Sequence, residues 1–186
     1  SNFGGLAFPF MRHNLKGEKH TEFIAAEPES CPKLTRGKFE YDFGDEAGYT
    51  PLLPMFTLGH DFKPANIHAG GLRYHGAGMI ISQLVKDGYM HGVDVAQTEA
   101  FEAGMLFARV EGIIPAPESC HAIAATIREA KKATEEGKNT VILFCLSGHG
   151  LIDMPSYESY LNGDLHDYRV SDEEINKFLQ TVPQVD

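Results

Sequence analysis

The sequence predicts an α/β fold: a mainly parallel sheet with helices on both faces, in one domain spanning residues 1–186. Two observations carry this. From Gly78 onward, helix-period and strand-like segments alternate, and Val141 to Leu146 is a continuous apolar run of strand length. The chain has 186 residues, with 42% hydrophobic and 23% charged, which is ordinary globular composition and enough for one self-sufficient core.

Taken in order, Leu6 to Leu15 reads as a short helix interrupted near Pro9, and Glu22 to Ala26 as a short strand. Prolines at 28, 32, 51 and 54 and glycines at 37, 44, 48 and 59 punctuate residues 27–59, which predicts loops and short strands there. Gly78 to Asp87 reads as helix and Tyr89 to Val95 as strand. Thr98 to Val110 follows as helix, with Phe101, Met105 and Ala108 on one face. Gly112 to Ile114 is a brief strand. Glu118 to Glu136 is the longest helix, with Gly137 as its stop. Thr140 to Leu146 reads as a buried strand. Pro155 to Leu161 and Ser171 to Leu179 close the set as helices, the latter opened by a Ser171–Glu174 capping box.

Charge and cysteine usage narrow the function classes. Sixteen Lys+Arg against 26 Asp+Glu give a net charge of -10 with no basic tract, which disfavours nucleic acid and anionic membrane as partners. No run approaches the roughly 18–20 apolar residues of a membrane span. Cys31, Cys120 and Cys145 are scattered and odd in number, so a reducing, cytoplasmic compartment is the simpler expectation.

In α/β folds ligands gather at the carboxyl ends of strands, so the segments that follow strands hold the candidate chemistry. Leu146-Ser147-Gly148-His149-Gly150 presents a hydroxyl between glycines; it is also an ordinary strand-to-loop turn. Glu118, after two prolines, is either a favourable first-turn helix charge or a carboxylate lining a pocket floor. His60, Asp61, His68 and His75 invite a metal reading, against which stands the lack of tight, repeated ligand spacing. The Gly70-Gly71 pair more plainly allows a tight backbone turn near a ligand. At the N-terminus, Ser1 and Asn2 ahead of a helix offer hydroxyl and backbone N–H groups to a phosphate.

Several blocks then run in a fixed order: Ser1-Asn2-Phe3-Gly4-Gly5, Glu27 through Cys31-Pro32 to Gly37, Thr57-Leu58-Gly59-His60-Asp61-Phe62, His68 to Gly76, Glu111 to Glu118, and Leu146 to Gly150. This order resembles tryptophan synthase beta subunits, in particular their second, longer type, over nearly the whole chain. The resemblance implies the C-terminal portion of a two-domain, fold-type II pyridoxal phosphate enzyme that joins L-serine to indole, giving L-tryptophan and water. It implies that Ser1 and Asn2 bind the cofactor phosphate, that Glu118 lies against the ring, and that Ser147, with Gly148, meets the pyridine nitrogen. Asp61 would contact the substrate hydroxyl, and Phe62 would belong to a monovalent-cation loop. The Schiff-base lysine and a general-acid glutamate are expected upstream of residue 1, so the chain alone is expected to be inactive. Lys63 is the one lysine near a candidate site; Lys131, Lys132 and Lys138 lie on or just past a polar helix face. One departure is Cys145, where the family often has Asn.

Implied partners are the N-terminal half of the same enzyme, a second copy in a homodimer, and a tryptophan synthase alpha subunit. Two other readings remain open: a serine dehydratase or deaminase type of lyase, and a stand-alone α/β domain that binds a small ligand.

Overall fold

A computed structural model describes residues 2–185 of the chain. Its elements follow in order α1 (Asn2–Leu15), β1 (Ile24–Pro28), α2 (Lys33–Arg36), β2 (Lys38–Asp42), β3 (Leu53–Thr57), α3 (Met79–Lys86), β4 (His91–Val95), α4 (Gln97–Glu111), α5 (Pro117–Glu135), α6 (Met154–Leu161) and α7 (Asp172–Leu179). Short 3-10 turns cover Gly70–Leu72 and Gly150–Asp153. No helix is long and apolar enough to cross a membrane among the described residues.

The α/β class holds, and the parallel pairing joins β1 to β4, from Ile24 opposite His91 to Pro28 opposite Val95. β2 and β3 form a second, antiparallel pair, with Lys38 opposite Thr57. This pair lies in the Pro- and Gly-punctuated stretch, where short elements were expected. Its register ends at Asp42 opposite Leu53, and a loop of Asx hydrogen bonds joins the two strands: Asp45 accepts from the Tyr49 and Thr50 N–H groups at 3.1 and 2.9 Å.

Two strand expectations are corrected. Thr140 to Leu146 is not a buried strand. It belongs to no ladder among the described residues, Val141 is 96% exposed and Leu143 63%, while Phe144 turns inward against Phe107 at a centroid distance of 5.8 Å. The apolar run encodes a strand that needs neighbours on both sides, and none flanks it here. Gly112 to Ile114 is likewise irregular. Gly112 takes a left-handed conformation (φ 71°) that ends α4, so its role is a helix stop rather than a strand start.

Most helix ends fall near their expected places, but α1 starts at Asn2, four residues before the expected Leu6, and runs through Pro9 without interruption. The Ser171 hydroxyl accepts from the Glu174 N–H at 3.1 Å, the cap expected for α7. The main core lies between α4 and α5, where Phe101, Cys120, Ile123 and Ala124 are buried and Tyr157 of α6 closes the cluster. Phe101 sits edge-on to Tyr157 and stacks on Tyr160, at 5.1 and 5.7 Å. The Tyr157 hydroxyl donates to the Pro115 carbonyl at 2.6 Å, which ties α6 to the turn just before Glu118.

Candidate active site

The site begins at the first turn of α5. Pro117 opens this helix with its fixed φ, so Glu118 and Ser119 project from a rigid N-terminus. The Ser119 hydroxyl donates to the Ser147 carbonyl at 2.8 Å and accepts the Ser147 N–H at 3.2 Å. These two bonds seat the Ser147-Gly148 turn on α5. Gly148 adopts φ +70°, a conformation that disfavours any residue with a side chain. Gly150 completes the turn by donating its N–H to the Ile114 carbonyl at 2.8 Å.

A segment 145 residues away closes the other side. The Asn2 amide donates to the Ser147 hydroxyl oxygen at 2.8 Å. That hydroxyl therefore receives one hydrogen and keeps its own O–H free to donate. The start of α1 stands beside it, with first-turn N–H groups that have no partner within the helix.

Glu118 accepts the Gly71 N–H at 2.8 Å, so the Gly-Gly turn reaches the carboxylate through its backbone. A Cβ on Gly71 would meet the Glu118 side chain at 3.2 Å, a tight contact that a larger residue keeps only if Glu118 shifts by a few tenths of an ångström. Next to them, burial pushes the Asp153 carboxyl upward; the Glu118 charge adds to this, and His149 and His68 oppose it. His68 is fixed in turn by Ser156, whose hydroxyl lies 2.9 Å from its Nδ1. Asn2, Ser147 and Gly148 thus meet the first turn of α5, where Glu118 and Ser119 stand, with Gly71 bound to Glu118. Ser1 lies outside the described residues.

Asp61 does not join this group through any hydrogen bond or ion pair among the described residues. Its carboxylate is 3.7 Å from His60 Nε2. His60 donates from Nδ1 to Asp42, a fully buried carboxylate that also accepts from the Thr57 hydroxyl at 2.6 Å. Phe62 is buried edge-on against Phe178, 5.5 Å between centroids. The histidines that invited a metal reading are each tied elsewhere: His60 to Asp42, His68 to Ser156 and His75 to the Phe43 carbonyl. No group of three or more His, Cys, Asp or Glu is placed to hold a metal among the described residues. Lys63 pairs with Glu46 and is largely exposed, and Lys33 pairs with Glu27. Among the described residues no lysine hydrogen-bonds or ion-pairs with Asn2, Glu118 or Ser147.

Residues 1–148 match the family model described as pyridoxal-phosphate dependent enzyme. The chain belongs to that family. Among curated relatives, it is 56% identical over 170 residues to tryptophan synthase beta chain 2 of Aquifex aeolicus, which covers 90% of this chain and 39% of the relative. Against the chain of the same name from Thermotoga maritima it is 60% identical over 157 residues, covering 84% and 37%. Against that of Pyrococcus furiosus it is 54% identical over 183 residues, covering 98% and 41%. The chain thus spans about two fifths of the length of these relatives.

The donor set fits a pyridoxal phosphate. A free hydroxyl hydrogen on Ser147 suits an acceptor ring nitrogen, and the α1 N-terminus suits a phosphate. Ser119 is a site residue that the sequence does not single out, since a serine in a helix first turn is common. The Gly70-Gly71 pair was read as a tight turn near a ligand, and its bond to Glu118 is what the structure adds.

Proposed function

We propose that this chain is the cofactor-facing C-terminal part of a tryptophan synthase beta chain, whose whole joins L-serine to indole by β-replacement with release of water. The observation that carries this reading is the Asn2–Ser147 hydrogen bond, which leaves the Ser147 O–H free at the Ser147–Gly148 turn beside the first turn of α5. Bound there, pyridoxal phosphate supplies the electron sink for bond cleavage at the substrate's α-carbon. Ser147 donates a neutral hydrogen bond to the ring nitrogen and does not require its protonation, unlike a carboxylate at the same place. Gly148 lets the backbone approach the ring. Ser1, Asn2 and the α1 N-terminus hold the phosphate. Gly71 fixes Glu118 against the ring by its N–H.

Asp61 is assigned to the substrate hydroxyl and the main chain near Phe62 to a monovalent cation, both from the likeness to the family. The lysine that carries the cofactor and the glutamate acting in indole addition come from the N-terminal half of the enzyme, so this chain alone is inactive. The exposed apolar side chains of Val141, Leu143, Met79 and Ile80 support a covering partner of that kind. The complete enzyme works in the cytoplasm as a homodimer and takes indole from a tryptophan synthase alpha subunit.

Mixing the chain with a polypeptide that supplies the remaining three fifths of a relative, pyridoxal phosphate, L-serine and indole tests the reading. Tryptophan is expected only from the mixture, and Ser147→Ala is expected to lower its rate about 10-fold or more. Pyruvate and ammonia without indole consumption would shift the assignment to a serine deaminase. Equal rates for Ser147→Ala and the unaltered chain would contradict the role of Ser147.

A further inference from the structure

Residues 149–186 lie beyond the stretch that the family model matches, yet they bind several of the site's loops. Leu58 to His75 forms one long excursion, closed at its neck by the Leu58 N–H donating to the His75 carbonyl at 2.8 Å and by the bridge between Thr57 and Gly76. It carries Asp61 and Phe62 on one limb and His68 and Gly71 on the other. Alone, an excursion of this length with little regular structure would be mobile.

The C-terminal segment packs on the first limb and reaches the second through Gln97 of α4. On the first, Gly59 (φ +100°) packs directly on the Phe178 carbonyl of α7, and a Cβ there would run into it. Phe178 meets Phe62 edge-on, and Leu58, Phe62, Val170 and Ile175 share one buried cluster. On the second limb, Gln97, 8% exposed, is the coupling. Its Oε1 accepts the His68 N–H at 2.9 Å and its Nε2 donates to the His166 carbonyl at 3.0 Å. Beside it, Asp167 accepts the Thr98 N–H and hydroxyl at 2.8 and 2.7 Å. Arg36 fastens the same segment by donating to the Val170 carbonyl at 2.7 Å and pairing with Asp172.

We propose that residues 166–179 act as a positioning strap, with Gln97 and Phe178 as the two anchors through which it holds the Leu58–His75 excursion in place for the Gly71–Glu118 contact. The strap meets the excursion directly on its first limb, at Gly59 and Phe62, and through the buried amide of Gln97 on its second, while Asp167 and Arg36 tie the strap itself to α4 and α2. The strap's consequence for catalysis rests on the function proposed above; the holding itself does not.

Hydrogen exchange of the chain and of its Gln97→Ala and Phe178→Ala variants tests this directly. The informative amides are Leu58, Phe62, Gly71 and Leu72, none of which bonds to the strap. Phe178→Ala is expected to lower protection of Leu58 and Phe62 by about 10-fold or more, and Gln97→Ala that of Gly71 and Leu72. Amides of α4 and α5 should keep their protection. If Phe178→Ala does not fold, Phe178→Leu keeps the apolar burial and should give the same local pattern, more weakly. Unchanged exchange at the four amides would overturn the proposal. So would an equal loss across α4, α5 and the loop, which would make the strap a general stabiliser.

Discussion

Replacing Glu27 with alanine is expected to cost about 3–5 kcal/mol of stability and to lower the melting temperature by roughly 10 °C. Glu27 sits at the end of β1, 2% exposed, and its carboxylate accepts the Leu34 N–H at 3.0 Å, the Thr35 N–H at 2.9 Å and the Thr35 hydroxyl at 2.9 Å. α2 has only four residues and no side-chain cap from Pro32, so Glu27 satisfies its open N–H groups from outside. Lys33 Nζ lies 3.6 Å away. Burial pushes the carboxyl upward, with Lys33 and the α2 N–H groups pulling it back. Removing the side chain strands three partly buried donors and a mostly buried ammonium at once, hence the size of the effect. Glu27→Gln keeps the volume and one acceptor and should fall between. Thermal unfolding of both variants gives the comparison; a melting temperature within 2 °C of the unaltered chain for Glu27→Ala would show that α2 is held by packing alone.

The second large effect is acid sensitivity set by His121. This side chain is 2% exposed in α5, and its Nδ1 donates to the Pro117 carbonyl at 2.9 Å. The carbonyl can only accept, so Nδ1 carries the hydrogen and Nε2 is a buried lone pair with no partner. Burial pulls the ring down from its ordinary 6.5 to about 4. Below pH 6.5 the unfolded chain takes up a proton that the folded chain refuses. The stability held by the neutral ring is therefore complete above pH 6.5 and is lost as pH falls to about 4, by up to about 3 kcal/mol. Glu27, whose carboxyl is raised, acts in the opposite sense, so the contribution of His121 is isolated by comparison with His121→Gln. Urea unfolding between pH 4 and 7 should show a distinctly shallower loss in the variant; parallel curves would mean that His121 stays neutral in both states or is solvated in the folded one.

Much of this architecture is legible in the residues. α4, α5 and α7 are amphipathic or capped by local signals, so their positions follow from the chain itself. The Ser147–Gly148 turn and Glu118 were likewise visible as strand-end and helix-start chemistry. Thr140 to Leu146 was misread because an apolar run reports the need for burial, and not whether a neighbouring strand is there to meet it. The bonds of Ser119 to Ser147 and of Gln97 to His68 and His166 are long-range pairings of common residues. Nothing in their local sequence distinguishes them from ordinary first-turn helix positions. Asp61 is a suggestive motif residue whose one ionic neighbour among the described residues is His60, so its role rests on the likeness to the family.

On the proposed function, this chain supplies the contacts to the cofactor ring and phosphate, and the lysine that binds the cofactor belongs to another part of the enzyme. Intact mass after incubation with pyridoxal phosphate and borohydride tests it most directly, on the 186-residue chain alone and on the chain combined with the complementary N-terminal polypeptide. The account predicts a permanent mass gain on the N-terminal polypeptide only. A stoichiometric gain at one lysine of this chain, Lys63 or Lys33 first among them, would contradict it, and no gain on either polypeptide would remove the cofactor assignment itself.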